Sequence, residues 1–315
     1  MIVVDNITKS YANQQKAVAN LSFTVPKGSI LGFLGPNGAG KTTTMRMITG
    51  FMAPTQGRIE VAGFDTVSQS MEARRRIGYL PETPPLYSEL TVKSYLDFVA
   101  QLKGLNNRKQ RQARIQEVAE LCWISDVMNK TPGKLSKGYR QRVGLAQALI
   151  HNPDVIILDE PTIGLDPKQI QETRKLIKSL GGHHTVILST HILPEVQMTC
   201  DRVIIINKGQ ILAEDTPENL IHRSAGLQRM QIRVKGELSA ILSHLNQMDS
   251  IKQIQHEKTE NELHHIRLES TQEGIQAILA RELIAHNWDL YGLHTAEGSL
   301  EDVFIQLVTT EGGAA

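Results

Sequence analysis

Gly35-Pro36-Asn37-Gly38-Ala39-Gly40-Lys41-Thr42 decides the fold. The stretch fits G-x-x-x-x-G-K-[ST], and its flanks fit the same reading. An apolar run, Ser29 to Leu34, precedes it, and a helix-like stretch, Thr42 to Gly50, follows. A strand therefore delivers the loop and a helix begins where it ends. Glycines at 35, 38 and 40 let the backbone turn sharply and approach oxygen atoms closely. Exposed N–H groups and the helix N-terminus then attract polyphosphate. Lys41 supplies a cation for the β- and γ-phosphates, and the Thr42 hydroxyl is placed to ligate Mg²⁺.

Composition agrees with a globular nucleotide-handling chain. Its 315 residues suggest one large domain or two. Hydrophobic residues make up 40% and charged residues 21%, enough apolar material for a sizeable core. The net charge of +1 argues against electrostatic binding of nucleic acid or anionic lipid by the whole molecule. Two distant cysteines, Cys122 and Cys200, form neither a disulfide framework nor a zinc pattern; they read as small buried hydrophobes in a reduced compartment. Met1 to Asp5 is interrupted by charge too early for a signal peptide, and no apolar run approaches the ~18 residues that span a bilayer. Any membrane part must come from another chain.

The remaining pattern surrounds the loop with strands and helices. Residues 1–35 read as antiparallel strands, with turns at Ala12-Asn13 and Pro26-Lys27-Gly28. Gly57 to Gly63 reads as a further short strand. Val92, Tyr95, Leu96, Val99 and Leu102 fall at helical spacing, as do Ile115, Val118, Ala119 and Cys122, so residues 91–150 read as a mostly helical insert. Val155 to Leu158 and Val186 to Leu188 are continuous apolar runs suited to parallel strands buried on both faces. Val203 to Ile206, with a turn at Asn207-Lys208-Gly209, closes the first domain.

Further signals lie outside the loop. Val155 to Leu158 ends in Asp159 and Glu160. Asp159 can hold Mg²⁺ through water, and Glu160 can polarise a water for attack on the γ-phosphate. Paired acids after a strand are common, but these follow a phosphate loop by about 120 residues, the order such sites use. Leu135-Ser136-Lys137-Gly138 opens a helix whose N-terminus suits a second γ-phosphate contact; alone, Ser136 reads as an ordinary N-cap. His191 follows the strand Val186 to Thr190, and alone reads as a structural residue.

Together these residues resemble the ATP-binding subunit of an ATP-binding-cassette transporter over roughly residues 1–220. In that resemblance Tyr11 matches the aromatic that stacks on adenine. Gly35, Pro36, Asn37, Gly38, Ala39, Gly40, Lys41, Thr42 and the adjoining Thr43 match the nucleotide-binding Walker A region. Glu82 takes the Q-loop position, a metal contact. Leu135 to Gln141, with Ser136 and Gly138, match the signature motif. Asp159 and Glu160 match Walker B and its catalytic glutamate, Asp166 the D-loop, and His191 the switch histidine. Two departures stand out: Glu rather than Gln at 82, and LSKGYRQR rather than LSGGQ. Both resemble the bacterial export branch, including drug-export and gliding-motility transporters. The resemblance implies an α/β P-loop fold of ABC type, with a parallel-sheet core, an antiparallel β subdomain and a helical subdomain inserted at about 86–150. It implies ATP and Mg²⁺ as cofactors, with Lys41, Glu160 and His191 in hydrolysis. Two copies would close head-to-tail around ATP, Ser136 and Gly138 of one facing Walker A of the other. The chain would work at the cytoplasmic face of the cell membrane through a permease in a separate chain, without nucleic acid and without inserting into the bilayer itself. A cassette protein acting on ribosomes or DNA is the alternative, but neither tandem cassettes nor a long heptad insert is present.

Residues 225–315 read as a separate accessory domain. Strand Leu227 to Val234, helix Glu237 to Met248, a hairpin of Ile251 to Glu257 and Glu262 to Leu268 turning at Lys258 to Asn261, helix Gln272 to His286 and strand Trp288 to Thr295 give β-α-β-β-α-β, a ferredoxin-like order closed by a helix from Ser299 to Val308. It either braces the subunit or regulates it, as a dimer-stabilising or ligand-sensing module. Arg74-Arg75-Arg76 reads as a solvated helix face. His183-His184 and His264-His265 lack partners at metal spacing and read as surface positions.

Overall fold

Continuous apolar runs become the strands of a buried parallel sheet. Ile30–Leu34, Val155–Asp159 and Thr185–Thr190 are buried at every residue, as strands covered on both faces must be. The structure, a computed structural model, describes residues 1–11, 16–224, 228–270, 272, 274–296 and 299–310; the expected turn at Ala12-Asn13 lies outside them. The sheet has six strands in the order Gln210–Asp215, Arg202–Asn207, Ile30–Leu34, Thr185–Thr190, Val155–Asp159, Ile77–Leu80. All neighbours are parallel except Gln210–Asp215, which folds back on Arg202–Asn207 through Lys208 and Gly209, both at positive φ.

A second sheet is antiparallel, in the order Lys16–Val25, Ile2–Ser10, Gln56–Val61, Phe64–Asp65. The expectation that residues 1–35 are all antiparallel holds for its first two strands and fails for Ile30–Leu34. The turn at Pro26 to Gly28 carries the chain from one sheet into the other. One core joins both sheets to the helix Lys41–Ile48: Phe23, Val25, Phe33, Met45 and Ile204 belong to one buried cluster, with the rings of Phe23 and Phe33 5.7 Å apart. Each such side chain contributes about 1.5–3 kcal/mol by leaving water.

The helical insert comprises Val92–Leu102, Arg108–Leu121 and Lys137–Leu149. Thr91 and Asn107 accept backbone N–H bonds at the first two N-termini, each cap contributing about 1 kcal/mol. Val92, Tyr95 and Leu96 turn inward, whereas Leu102 is exposed at the helix end. Cys122 and Cys200 are free and buried. Burial pushes the Cys122 thiol up to about 12 and raises that of Cys200 as well.

The chain divides into compact units at Met1–Pro217 and Glu218–Ala315. The second unit orders its strands Ile251–Glu260, Leu263–Ser270, Gln228–Lys235, Asp289–Ala296, all antiparallel. With the helices Leu238–Asn246 and Ile275–Ala285 between them, this is the ferredoxin-like α+β arrangement. Met230, Ile232 and Val234, two residues apart, face a core closed by Ile241, Leu245, Leu279 and Leu283 of the helices. The hairpin turns at Asn261 and Glu262, both left-handed, rather than at Lys258 to Asn261, and so pairs longer strands. The helix Leu300–Thr310 follows.

Three histidine expectations need correction. His264 is buried, bonded to Thr259 and to the Gly236 carbonyl oxygen; His184 is half-buried, with Nδ1 donating to the Pro153 carbonyl oxygen at 2.7 Å; and His265 is half-buried, with Nε2 shielded from solvent. For His264 and His184 the expectation of surface positions failed because backbone carbonyls supply partners that spacing does not reveal. Arg74 to Arg76 are exposed as expected, and Arg76 pairs with Asp154 at 3.1 Å.

Candidate functional site

Parallel pairing brings the strand ends to one edge. Leu34 is level with Thr190, Asp159 with Ser189, and Leu80 with Leu158. The residues that follow these strands therefore gather where open α/β sheets hold their ligands. They line a cavity of about 460 Å³ that includes Gly38, Lys41, Thr42, Glu82, Glu160 and His191. Pro36, Asn37, Ala39, Gly40 and Thr43 complete the loop's share of the lining.

The loop geometry explains its glycines. Gly40 precedes the helix at φ 105°, and a Cβ there would lie 2.6 Å from the Ala17 carbonyl oxygen. Gly35 is packed just as closely, 2.5 Å from the Ile206 carbonyl oxygen by the same measure. No side chain caps the helix at Gly40, so its first-turn N–H groups are left to a ligand. Lys41 is nearly buried. Its Nζ donates to the Gly35 carbonyl oxygen at 2.8 Å and lies 3.4 Å from Glu160 Oε1.

The acidic pair is buried rather than displayed. Glu160 sits at φ 52°, a left-handed conformation that costs an ordinary residue about 1–2 kcal/mol. Its N–H is anchored on the Ser189 carbonyl oxygen at 2.9 Å. This turn aims the carboxylate between Lys41 and His191, whose Nδ1 donates to Oε2 at 2.9 Å. A carboxylate so fixed beside a phosphate cavity can accept a proton from water. Asp159 is wholly buried; Oδ1 accepts from Ser189 Oγ at 2.7 Å, while Oδ2 has no hydrogen-bond partner. Burial raises its pKa; the Ser189 hydrogen bond and the nearby Thr42 hydroxyl oppose the rise, and Glu160 and Glu82 add to it. An orphaned carboxylate oxygen beside the Thr42 hydroxyl and Glu82 is an oxygen-only donor set that fits Mg²⁺.

Six expected residues, Gly35, Asp159, Tyr11, Ser136, Gly138 and Asp166, lie outside the cavity lining. Tyr11 is exposed, its hydroxyl 3.8 Å from Met52 Sδ. Ser136 is the N-cap of Lys137–Leu149, accepting from the Tyr139 N–H, and Gly138 lies against the Gln169 side chain. Asp166 caps Pro167–Leu180 in a capping box with Gln169. The signature and D-loop residues thus form a second cluster, knit together by Gln169 and by Lys137 packing on Gly164.

Glu195 was not singled out by the sequence. It is 1% exposed and accepts hydrogen bonds from Thr162 and from Thr190 Oγ1, the latter at 2.8 Å. Thr190 Oγ1 in turn accepts the Ile192 N–H at 3.1 Å. Glu195 therefore ties the segment after Glu160 to the turn that carries His191. Its position in the first turn of a short helix, after Pro194, reads as an ordinary solvated acid.

Proteins that fold a glycine-rich loop and an acidic strand end onto one edge of a parallel sheet are P-loop nucleoside triphosphatases, and this chain is one. The ABC transporter family model matches residues 18–163. The chain is 36% identical over 313 residues to the bacitracin transport ATP-binding protein BcrA of Bacillus licheniformis, covering 98% of this chain and 97% of that one. It therefore belongs to the ATP-binding subunits of ABC transporters and is a nucleotide-binding ATPase. It is also 32% identical over 315 residues to the linearmycin resistance ATP-binding protein LnrL of Bacillus subtilis (strain 168), 98% of each being covered. A solved dimeric ATP-binding cassette, in a post-hydrolysis state with ADP and Pi, superposes with a TM-score of 0.64 at 28% identity, over 69% of this chain and 98% of that one. Among the described residues, no helix is long and apolar enough to cross a membrane.

Proposed function

We propose that this chain is the ATPase of an antibiotic export system and works as an ATP-closed pair on a permease supplied by another chain. One observation carries the pairing: Lys41, Glu160 and His191 share a cavity from whose lining Ser136 and Gly138 are missing. The phosphate cavity of one copy is then completed by the signature turn of a second, head-to-tail. The relative bound to ADP and Pi being a dimer supports this reading. Lys41 and the loop N–H groups bind the β- and γ-phosphates. Asp159, Thr42 and Glu82 hold Mg²⁺, which when bound neutralises phosphate charge. Glu160 takes the proton of the attacking water, and His191 steadies Glu160. Tyr11 offers a face to adenine, and Asp166 faces the second copy.

A cleft of about 460 Å³ between Phe51, Ile77, Tyr79, Pro81 and Pro85 suits a helix of the permease on the cytoplasmic side of the membrane. Phe51 is 74% exposed at this cleft, which a partner would cover. Full-length relatives named for bacitracin transport and linearmycin resistance support an antibiotic cargo.

Glu160→Gln tests the chemistry. With ATP and Mg²⁺ it should elute as a dimer and hydrolyse about 10²–10⁴-fold more slowly. Hydrolysis at the unaltered rate would remove Glu160 as the base. Purification of tagged chain from membranes in detergent should recover a permease; recovery with ribosomes or chromatin alone would overturn the transport reading.

A further inference from the structure

In the second unit, two imidazoles and a carboxylate meet between the helices Leu238–Asn246 and Ile275–Ala285. Glu282 and His286 are four residues apart, so they share one face at the end of the second helix. His244 faces them from the first helix, with Nε2 3.3 Å from Glu282 Oε2. Nε2 is shielded from solvent and has no hydrogen-bond partner. The His244 and His286 rings are 4.1 Å apart.

The tautomer of His286 is fixed by its neighbour. Its Nδ1 lies 2.9 Å from the Glu282 carbonyl oxygen, which can only accept. In the neutral ring Nδ1 therefore carries the proton and Nε2 keeps its lone pair. A second ring nitrogen bonded to a backbone carbonyl is the usual way a metal-binding histidine is oriented. Trp288 backs the group, stacked on His286 at 4.9 Å and edge-on to His244 at 5.6 Å. It is seated in turn on Gly236, where a Cβ would come within 2.6 Å of its ring.

We propose that His244, Glu282 and His286 bind one divalent transition-metal ion of the zinc class, pinning the two helices of this unit together. One ligand atom from each residue lies within 4.8 Å of the other two. Tetrahedral ligands at about 2.0–2.1 Å from zinc stand about 3.4 Å apart, so small side-chain rotations close the set. Two imidazoles with one carboxylate select zinc, cobalt or nickel over Mg²⁺, which prefers oxygen alone. A fourth position is left for water.

The test uses the full chain without an affinity tag, in excess Mg²⁺ to fill the nucleotide site. Calorimetric titration with Zn²⁺ should show one saturable equivalent. Co²⁺ should quench the emission of Trp288 in a Trp123→Phe background. His286 is exposed, so His286→Ala leaves the fold intact, and it should weaken both signals at least about tenfold. His244→Gln should do the same, with circular dichroism confirming its fold. Absence of saturable binding would overturn the proposal. So would Zn²⁺ affinity unchanged in His286→Ala, which would place the metal elsewhere.

Discussion

At the scale of the residue, the role proposed for Asp159 carries a cost in stability. Its folded pKa is raised above the unfolded value, so ionisation in the folded chain costs free energy. That cost is absent below the unfolded pKa, grows as pH rises through the folded one and is complete above it. Asp159→Asn should therefore raise the unfolding midpoint in EDTA at neutral pH. The amide keeps the shape and removes the buried charge, and each kcal/mol so relieved is about 2–4 °C. The advantage should shrink in acid, and hydrolysis should be lost throughout. Equal midpoints at neutral pH would mean that other groups already compensate the carboxylate. Glu82 makes a second case. It lines the cavity and brings a charge where a Gln would bring a neutral carbonyl. Glu82→Gln should need more Mg²⁺ for half-maximal ATPase while keeping its maximal rate within about tenfold, because Glu160 remains. Superimposable Mg²⁺ titrations would show that Glu82 does not reach the metal. Much of this site was legible because its residues follow a glycine pattern and strand ends. Glu195 was not, because its hydrogen bonds to Thr162 and Thr190 come from distant parts of the chain.

At the scale of the element, close approach of a strand and a helix connects the Glu82 segment to the signature helix. A Cβ on Gly78 would fall 2.1 Å from the Ala148 carbonyl oxygen, and one on Gly144 2.7 Å from Leu80 and Pro84. The strand Ile77–Leu80 and the helix Lys137–Leu149 can pack at this distance only with glycine on each. Gly78→Ala must push backbone from backbone, and should cost about 1–3 kcal/mol. Thermal unfolding of the variant checks this; an unchanged midpoint would mean that the strand shifts freely. The helical insert was readable from 3.6-residue spacing and the buried strands from unbroken apolar runs. The sheet assignment of Ile30–Leu34 was misread because the preceding turn resembles a hairpin. The burial patterns explain the difference: Lys16–Val25 largely alternates, whereas Ile30–Leu34 is buried throughout.

At the scale of the whole molecule, the two units have separate apolar cores, one around Phe33 and Met45, the other around Ile232 and Leu279. Every residue lining the cavity that holds Lys41, Glu160 and His191 belongs to the first unit. A chain ending at Ser224 should therefore fold and bind ATP with affinity within about threefold, or about 0.7 kcal/mol, of the full length. Loss of ATP binding in a folded truncation would show that the second unit contributes to the site. Sequence order alone gave the β-α-β-β-α-β reading of that unit, but not the meeting of His244 with His286, which depends on how its helices lie together. The burial of Cys122 and Cys200 has a practical side. With both native thiols enclosed and protonated, the folded chain is silent towards maleimide dyes. A lone cysteine placed at exposed Lys16, beside the cavity, or at exposed Lys134, ahead of the signature turn, would then carry the only fluorophore, and energy transfer between differently labelled copies would time the meeting of loop and signature turn during each turnover.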